Sequence, residues 1–160
     1  MSGDASSDEA ELDAILRERG IDAAHAQRLA AYGAIVLEAN RRTNLTGAKS
    51  ALALAEHIID SLTLLPYAAD PLVDVGSGAG FPAVPLAIVA GVRITMIEAT
   101  TKKARFLESA LRDLGLAGAV LNARAEVAGR RRRDDDGGTA PAAYSHRRPC
   151  RAPARPPRGI

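Results

Sequence analysis

Residues 72–82 read LVDVGSGAGFP, and this stretch decides the fold. A short apolar run contains an acidic residue near its end, three glycines follow at alternate positions, and an apolar segment resumes after Pro82. The first apolar run predicts a strand and the later segment predicts a helix. Alternate glycines let the backbone turn sharply between the two elements and leave no Cβ between the backbone and a ligand.

Residues 76–80, here named the glycine turn, are typical of a nucleotide-type cofactor site at the carboxyl end of a strand. A dinucleotide fingerprint would place its third glycine at position 81, which is Phe81 here. Asp74 lies two residues before Gly76 and would interact poorly with a pyrophosphate but well with the ammonium and sulfonium of S-adenosylmethionine. The spacing favours S-adenosylmethionine over NAD. A plain strand–helix turn, with Asp74 in a helix-capping role, is the structural alternative.

Glu98 ends a second β-branched run, 24 residues beyond Asp74. In such folds this position lies beside the first strand and accepts hydrogen bonds from the ribose hydroxyls of the cofactor. This role fits NAD as well as S-adenosylmethionine, so Glu98 supports the fold more than the ligand. The alternative is a strand-end carboxylate in solvent.

The apolar periodicity divides the chain into three parts. Residues 1–70 predict three helices, near 8–19, 22–40 and 50–65, with Asp22 and Ser50 as caps. Residues 71–128 alternate between strands at 72–75, 92–97 and 119–122 and helices from 84 to 90 and from Thr100 or Thr101 to Gly115. This alternation predicts right-handed crossovers and an α/β fold with a parallel sheet.

Residues 129–160 carry no helix or strand periodicity and are rich in arginine and proline. We predict a disordered tail, because so few large apolar residues cannot offset the entropy of ordering; an RNA-binding arm is the alternative. From Arg130 onward nine arginines face three aspartates, although the net charge of the whole chain is only +2. The preceding body is therefore acidic, and the basic tail is poor support for a nucleic-acid surface on that body.

Bulk features predict a cytoplasmic protein. Cys150 is the only cysteine, and no basic-then-apolar signal peptide opens the chain. Residues 75–92 lack charge, but glycines and prolines interrupt them, so we predict no membrane span. We predict no metal site.

Six motifs between residues 41 and 127 resemble, in order, those of the bacterial ribosomal small-subunit guanine-N7 methyltransferases, the RsmG/GidB family. The motifs are Asn44-Leu45-Thr46, His57-Ile58-Ile59-Asp60-Ser61-Leu62, residues 74–82, Pro85-Leu86-Ala87-Ile88, Lys102-Lys103-Ala104-Arg105-Phe106-Leu107 and Arg124-Ala125-Glu126. They cover a little over half of the chain. One small departure is Ala83, where the family usually has glycine.

The resemblance implies a Rossmann-like S-adenosylmethionine-dependent methyltransferase fold and methyl transfer to N7 of a guanosine in 16S rRNA of the small ribosomal subunit. It implies a cofactor site lined by Gly76 and Phe81, with Ala125 and Glu126 beside the adenine; Asp74, Gly78 and Glu98 join them from the spacing argument. By itself, Arg124-Ala125-Glu126 predicts only a polar loop. We expect a monomer.

The helix that carries Lys102, Lys103 and Arg105 offers three cations that could contact rRNA phosphates, with solvated surface charge as the alternative. N7 of guanine carries a lone pair and no proton, so no general base is required. His57 and Asp60, three residues apart, predict a structural pairing rather than acid–base catalysis. Asn44 predicts either an approach to the site or turn chemistry.

The family's domain has strands beyond the third, and residues 129–160 resemble none of them. The abrupt change of composition suggests translation of a GC-rich gene in another frame, which the coding DNA would test. Two further functions are therefore retained: a non-catalytic remnant or binding module with half a cofactor site, and an NAD-binding half-domain.

Overall fold

The computed structural model describes residues 3–130, and side chains are described for residues 5–129. The predicted tail at 129–160, its disorder, its arginine cluster and the frame-change hypothesis therefore lie almost wholly outside the described residues. These residues form six α-helices, α1–α6, one 3₁₀ turn and three strands, β1–β3, numbered in chain order.

Three helices precede the sheet: α1 (Gly3–Glu18), α2 (Ala23–Thr43) and α3 (Ala51–Leu62). The predicted caps of α2 and α3 are confirmed, since the side chains of Asp22 and Ser50 accept hydrogen bonds from backbone N–H groups of the first turn. α3 ends before residue 65, and a short 3₁₀ turn follows at Leu65–Tyr67.

α2 extends three residues beyond its predicted end at Asn40. The helix closes instead at Asn44, whose φ of 51° is left-handed and whose N–H donates to the Asn40 carbonyl. The Asn40 side chain holds the following loop, because its Nδ2 donates to the carbonyls of Thr46 and Ala48. Asn40 therefore lies within the helix, and its side chain stabilises the loop that follows the helix.

The sheet contains β1 (Leu72–Val75), β2 (Ile94–Ile97) and β3 (Gly118–Leu121) in the order β1-β2-β3. Both pairings are parallel, and Leu72 lies opposite Ile94, which lies opposite Gly118. The helices α4 (Ala83–Ala90) and α5 (Thr101–Asp113) make the two crossovers. The predicted α/β class is confirmed, and the arrangement is that of part of a Rossmann-like methyltransferase fold.

A further helix, α6 (Ala125–Arg130), follows β3. The residues alone predicted a polar loop here, and that prediction was wrong at this point. The segment is short and its side chains are mostly exposed, so its amphipathic period is too brief to be recognised from sequence.

One continuous core joins the preceding helices to one face of the sheet. It contains residues of α1 to α3, such as Leu12, Leu29 and Leu54, together with Ile94 and Met96 of β2 and Leu107 of α5. The side chains that alternate with these on the strands take no part in this core. The helices therefore cover one face of the sheet only.

Candidate functional site

The glycine turn connects β1 to α4 through a backbone that only glycine adopts readily. Gly76, Gly78 and Gly80 have φ values of +77°, +57° and +104°. The Gly76 N–H donates to the Ile97 carbonyl at 2.7 Å, which ties the start of the turn to the end of β2. The turn therefore lies at the sheet edge where β1 and β2 both end, as the sequence predicted.

The glycines of this turn serve two different purposes. A Cβ on Gly76 would meet nothing within 4 Å, and one on Gly78 would meet only the Gly76 carbonyl at 3.8 Å. At Gly80, in contrast, a Cβ would lie 2.8 Å from a Val84 methyl, 3.0 Å from the Tyr32 hydroxyl and 3.2 Å from a Leu107 methyl. The first two glycines leave an open surface for a ligand, whereas the third allows the turn to pack on the core.

Glu98 is buried, with 7% of its surface exposed, and organises the turn. Its Oε2 accepts the Gly78 N–H at 2.9 Å and its Oε1 accepts the Thr100 N–H at 2.7 Å. Burial raises the pKa of Glu98, but the hydrogen bonds from Thr100 and Gly78, with the charge of Lys103, outweigh it and lower the pKa below its usual value. Glu98 is therefore an ionised carboxylate that holds the turn through hydrogen bonds, and its two oxygens together can still accept a further donor.

Asp74 is the unsatisfied group of the site. Its carboxyl is half-buried, and Oδ2 is buried without a hydrogen-bond partner. Burial is the main cause that raises the pKa of Asp74, and the neighbouring donors at Ser77 and Val75 only partly oppose that rise. The Ser77 hydroxyl itself donates to the backbone carbonyl of Asp74 at 3.2 Å. A buried acceptor without a donor costs free energy, so a cationic or hydrogen-bond-donating ligand would be stabilised at this position.

Tyr32 is a residue of the site that the sequence motifs did not identify. This α2 residue is fully buried, and its hydroxyl donates to the Ala79 carbonyl of the glycine turn at 2.8 Å. Burial raises the pKa of Tyr32 well above its usual value, and the nearby Asp74 carboxylate adds to that effect. A tyrosine on the buried face of a helix needs a polar partner, which was the available signal. The partner itself, 47 residues away, could not be read from the sequence.

Phe81 follows the turn, and its ring packs between the rings of one residue on α2 and one on α3. Its ring centroid lies 5.4 Å from that of Tyr32 and 5.8 Å from that of His57 on α3. The predicted pairing of His57 with Asp60 is absent from the described residues, since His57 contacts Phe81 instead. Asn44 caps α2 and lines a different cavity, so turn chemistry is the interpretation that the structure supports.

The remaining predicted residues occupy the neighbouring elements. Ala125 and Glu126 are exposed in the first turn of α6, which follows β3 at the same sheet edge as the glycine turn. Lys102 and Arg105 are exposed on α5, whereas Lys103 is half-buried and close enough to Glu98 to lower its pKa. The geometry therefore distinguishes Lys103 from the exposed Lys102 and Arg105.

Two cavities among residues 3–130 lie elsewhere. One of about 350 Å³ is lined by Asp8, Asn40 and Lys49 among others, and one of about 390 Å³ lies between α1 and α2. Neither includes a glycine-turn residue. The open backbone at Gly76 and Gly78, with Asp74 and Glu98 at the ends of adjacent parallel strands, makes the turn the candidate site. No helix among these residues is both long and apolar enough to cross a membrane.

Comparison with known proteins identifies the family. Residues 25–140 match GidB, described as rRNA small subunit methyltransferase G, a wider range than the motifs at 41–127. The chain belongs to this family. It is 41% identical over 122 residues to "Ribosomal RNA small subunit methyltransferase G" of Stenotrophomonas maltophilia strain K279a, covering 74% of this chain and 58% of that protein. A protein of the same name from Xanthomonas axonopodis pv. citri strain 306 is 38% identical over 141 residues, covering 86% and 62%.

The chain thus spans about three fifths of the length of the curated relatives that it matches. The other two fifths of the relatives have no counterpart in the alignment.

Tyr32→Phe tests the hydrogen bond from the Tyr32 hydroxyl to the glycine turn. Losing the hydroxyl leaves the Ala79 carbonyl without its donor, so we expect the free energy of unfolding to fall by about 1–2 kcal/mol. Tyr67→Phe is the matched control, because Tyr67 is 80% exposed. Urea denaturation of both variants measures the difference. Equal stability of the two variants would contradict a structural role for the Tyr32 hydroxyl.

Glu98→Gln tests how the hydrogen bonds of the Glu98 carboxylate contribute to stability at different pH values. The folded pKa of Glu98 is lowered, so its contribution to stability is present above the ordinary glutamate pKa and is lost as the pH falls through the folded value. We expect the variant to be about 1–2 kcal/mol less stable at neutral pH. The difference should shrink as the pH falls below about 4. A pH-independent difference in denaturation midpoints would show that the charge of Glu98 is not what stabilises the turn.

Proposed function

We propose that this chain binds S-adenosylmethionine and belongs to a methyltransferase that modifies N7 of a guanosine in 16S rRNA. The observation that carries the proposal is the pair of carboxylates, Asp74 and Glu98, that flank the open side of the glycine turn at the ends of adjacent parallel strands. The names of the relatives add the rRNA and the methyl transfer. The cytoplasm, the small ribosomal subunit as partner and a monomeric state belong to the same proposal.

The residues present fit this cofactor. The unpartnered Oδ2 of Asp74 suits the ammonium or sulfonium charge, and the remaining acceptor capacity of the Glu98 carboxylate suits a ribose hydroxyl. The open backbone at Gly76 and Gly78 permits close approach of a ligand. Phe81 would border the same surface, and Ala125 with Glu126 would lie beside the adenine. NAD is disfavoured, since an ionised Asp74 repels a pyrophosphate.

Bound S-adenosylmethionine would supply an electrophilic methyl group. The protein's own contribution is to align and desolvate the reacting groups, because N7 has a lone pair and no proton to remove. This explains the absence, among residues 3–130, of a hydrogen-bonded nucleophile–base pair at the turn. The exposed Lys102 and Arg105, with Lys103, would neutralise rRNA phosphates.

A second function, that of a non-catalytic remnant or binding module, is favoured by one specific observation. The alignments cover only 58–62% of the relatives' length, so about two fifths of each relative has no aligned counterpart in this chain. Such a chain would retain the cofactor-binding carboxylates without turnover.

Two measurements separate the candidates. Calorimetry should detect S-adenosylmethionine and S-adenosylhomocysteine but not NAD, and binding of NAD alone would overturn the proposal. Small subunits that lack the modification are then incubated with the protein and S-adenosylmethionine, and 7-methylguanosine is mapped. Cofactor binding without a transferred methyl would assign the chain as the non-catalytic module.

A further inference from the structure

Asn122 follows β3 at the carboxyl edge of the sheet, and its side-chain amide makes three hydrogen bonds to the segment that follows β2. Its Nδ2 donates to the Glu98 carbonyl at 2.9 Å and to the Ala99 carbonyl at 3.2 Å. Its Oδ1 accepts the Thr101 hydroxyl at 3.1 Å. One side chain therefore joins the end of β3 to the segment between β2 and α5, residues 98–101, here named the 98–101 loop.

The bond to the Glu98 carbonyl replaces one that the parallel ladder would otherwise make. Ile97 lies opposite Leu121, and the Glu98 N–H donates to the Leu121 carbonyl at 3.0 Å, so the two chains are still paired at this point. Continued pairing would give the Glu98 carbonyl the N–H of Ala123 as its next donor. The Ala123 N–H instead turns back to the Leu121 carbonyl at 2.9 Å. The Asn122 amide therefore satisfies the carbonyl that the departing strand leaves without a donor.

The 98–101 loop is held by groups outside α5. Thr100 occupies the N-cap position of α5, but its side chain makes no capping hydrogen bond. The Thr100 N–H donates to the Glu98 carboxylate, and the Thr101 hydroxyl donates to Asn122. Glu98 is thus held at its carbonyl by Asn122 and at its carboxylate by the N–H groups of Gly78 and Thr100. The position of this carboxylate against the glycine turn therefore depends on where Asn122 holds the loop.

We propose that Asn122 is a positioning residue for the adenosine half of the candidate cofactor site, an inference that rests on the proposed function. Asn122 fixes the backbone that carries Glu98, so that the carboxylate is already in place when a ribose hydroxyl arrives. A loop that is fixed before binding loses less conformational entropy when the ligand binds, and the affinity is higher for that reason. Asn122 also fixes the strand end that leads, three residues later, to Ala125 and the proposed adenine contacts.

Asn122→Ala in the full chain removes all three hydrogen bonds, and we expect calorimetry to show about tenfold weaker binding of S-adenosylhomocysteine. The loss should depend on the ribose hydroxyls, because Asn122 acts through Glu98. For the 2′,3′-dideoxy analogue of S-adenosylhomocysteine we therefore expect a change of less than about twofold. Hydrogen exchange at the Gly78 and Thr100 amides of the free chain should become about tenfold faster, since both amides donate to Glu98.

Asn40→Ala is the matched control. The Asn40 amide also donates to two carbonyls, those of Thr46 and Ala48, and accepts the Thr46 N–H, but it stabilises the loop after α2. We expect this variant to lose stability as Asn122→Ala does. Its affinity for both ligands and the exchange at Gly78 and Thr100 should stay unchanged.

Thr101→Val is the second variant, for use if Asn122→Ala does not fold. It removes only the bond to Asn122, at an exposed position, and should weaken S-adenosylhomocysteine binding by roughly threefold. Equal binding of S-adenosylhomocysteine by the variants and the unaltered chain would overturn the inference alone. Equal losses for S-adenosylhomocysteine and its dideoxy analogue would also overturn it, because they would show a merely structural role. If the unaltered chain binds neither ligand, the proposed function fails and the inference fails with it.

Discussion

Gly80→Ala is expected to destabilise the protein by about 2–4 kcal/mol and to abolish cofactor binding. Two costs add. The φ of +104° is strained for any side chain, and the new methyl would lie 2.8 Å from Val84 and 3.0 Å from the Tyr32 hydroxyl. Displacing Tyr32 would also break its hydrogen bond to Ala79 within the turn. Urea denaturation and calorimetry with S-adenosylhomocysteine measure the two effects.

Gly91→Ala provides the control for backbone strain without crowding. Gly91 closes α4 with a φ of +67°, and a Cβ there would meet nothing within 4 Å. We expect a loss of only about 1 kcal/mol and unchanged ligand affinity. If the two variants lose equal stability, the packing of Gly80 against α2 and α5 is not what fixes the turn.

Asp74→Asn is expected to stabilise the fold at neutral pH while weakening cofactor binding. The variant removes a half-buried charge whose Oδ2 has no donor, a gain of about 1 kcal/mol. It also removes the carboxylate that we propose faces the cofactor's positive charge. We therefore expect affinity for S-adenosylmethionine to fall by about tenfold to a hundredfold, or 1.4–2.8 kcal/mol.

The pH dependence has a definite sign. The folded pKa of Asp74 is raised, so the folded state holds its proton more tightly than the unfolded state does. Stability therefore falls as the pH rises from the ordinary aspartate pKa through the folded value. The advantage of Asp74→Asn should be near zero at low pH and reach its full size at neutral pH. Glu108→Gln, at an exposed carboxylate on α5, should change neither property. An Asp74→Asn variant that is less stable at neutral pH would show that the carboxylate is satisfied in solution.

Local signals in the sequence predicted the element order well. Asp22 and Ser50 were identified as caps because capping depends on a side chain and the next turn of the same segment. β1 and α4 followed from a short apolar run, glycines and a second apolar run. The short helix α6 was missed because six residues carry too little periodicity.

The sequence predicted where the carboxylates of the candidate site lie, but not the hydrogen bonds and side-chain contacts that hold the site together. Asp74 and Glu98 were placed at adjacent strand ends, and the structure places them there. Sequence spacing could not show that the two oxygens of Glu98 accept the backbone N–H groups of Gly78 and Thr100. The direction of a hydrogen bond depends on the final position of the backbone. The expected pairing of His57 with Asp60 was wrong, since helical proximity of two side chains does not decide which neighbour each one contacts.

The sequence by itself determined the glycine turn, the carboxylates that flank it and the family, because these are encoded in short contiguous motifs. Only the tertiary structure decided that Gly80 serves packing while Gly76 and Gly78 leave open space, since that distinction depends on Tyr32 and Leu107 from distant segments. Only the tertiary structure also revealed that, among residues 3–130, one face of the sheet stays exposed, with Val73, Val75 and Leu121 on it. Alternation within one strand defines two faces, but which of them is covered depends on where the crossover helices pack.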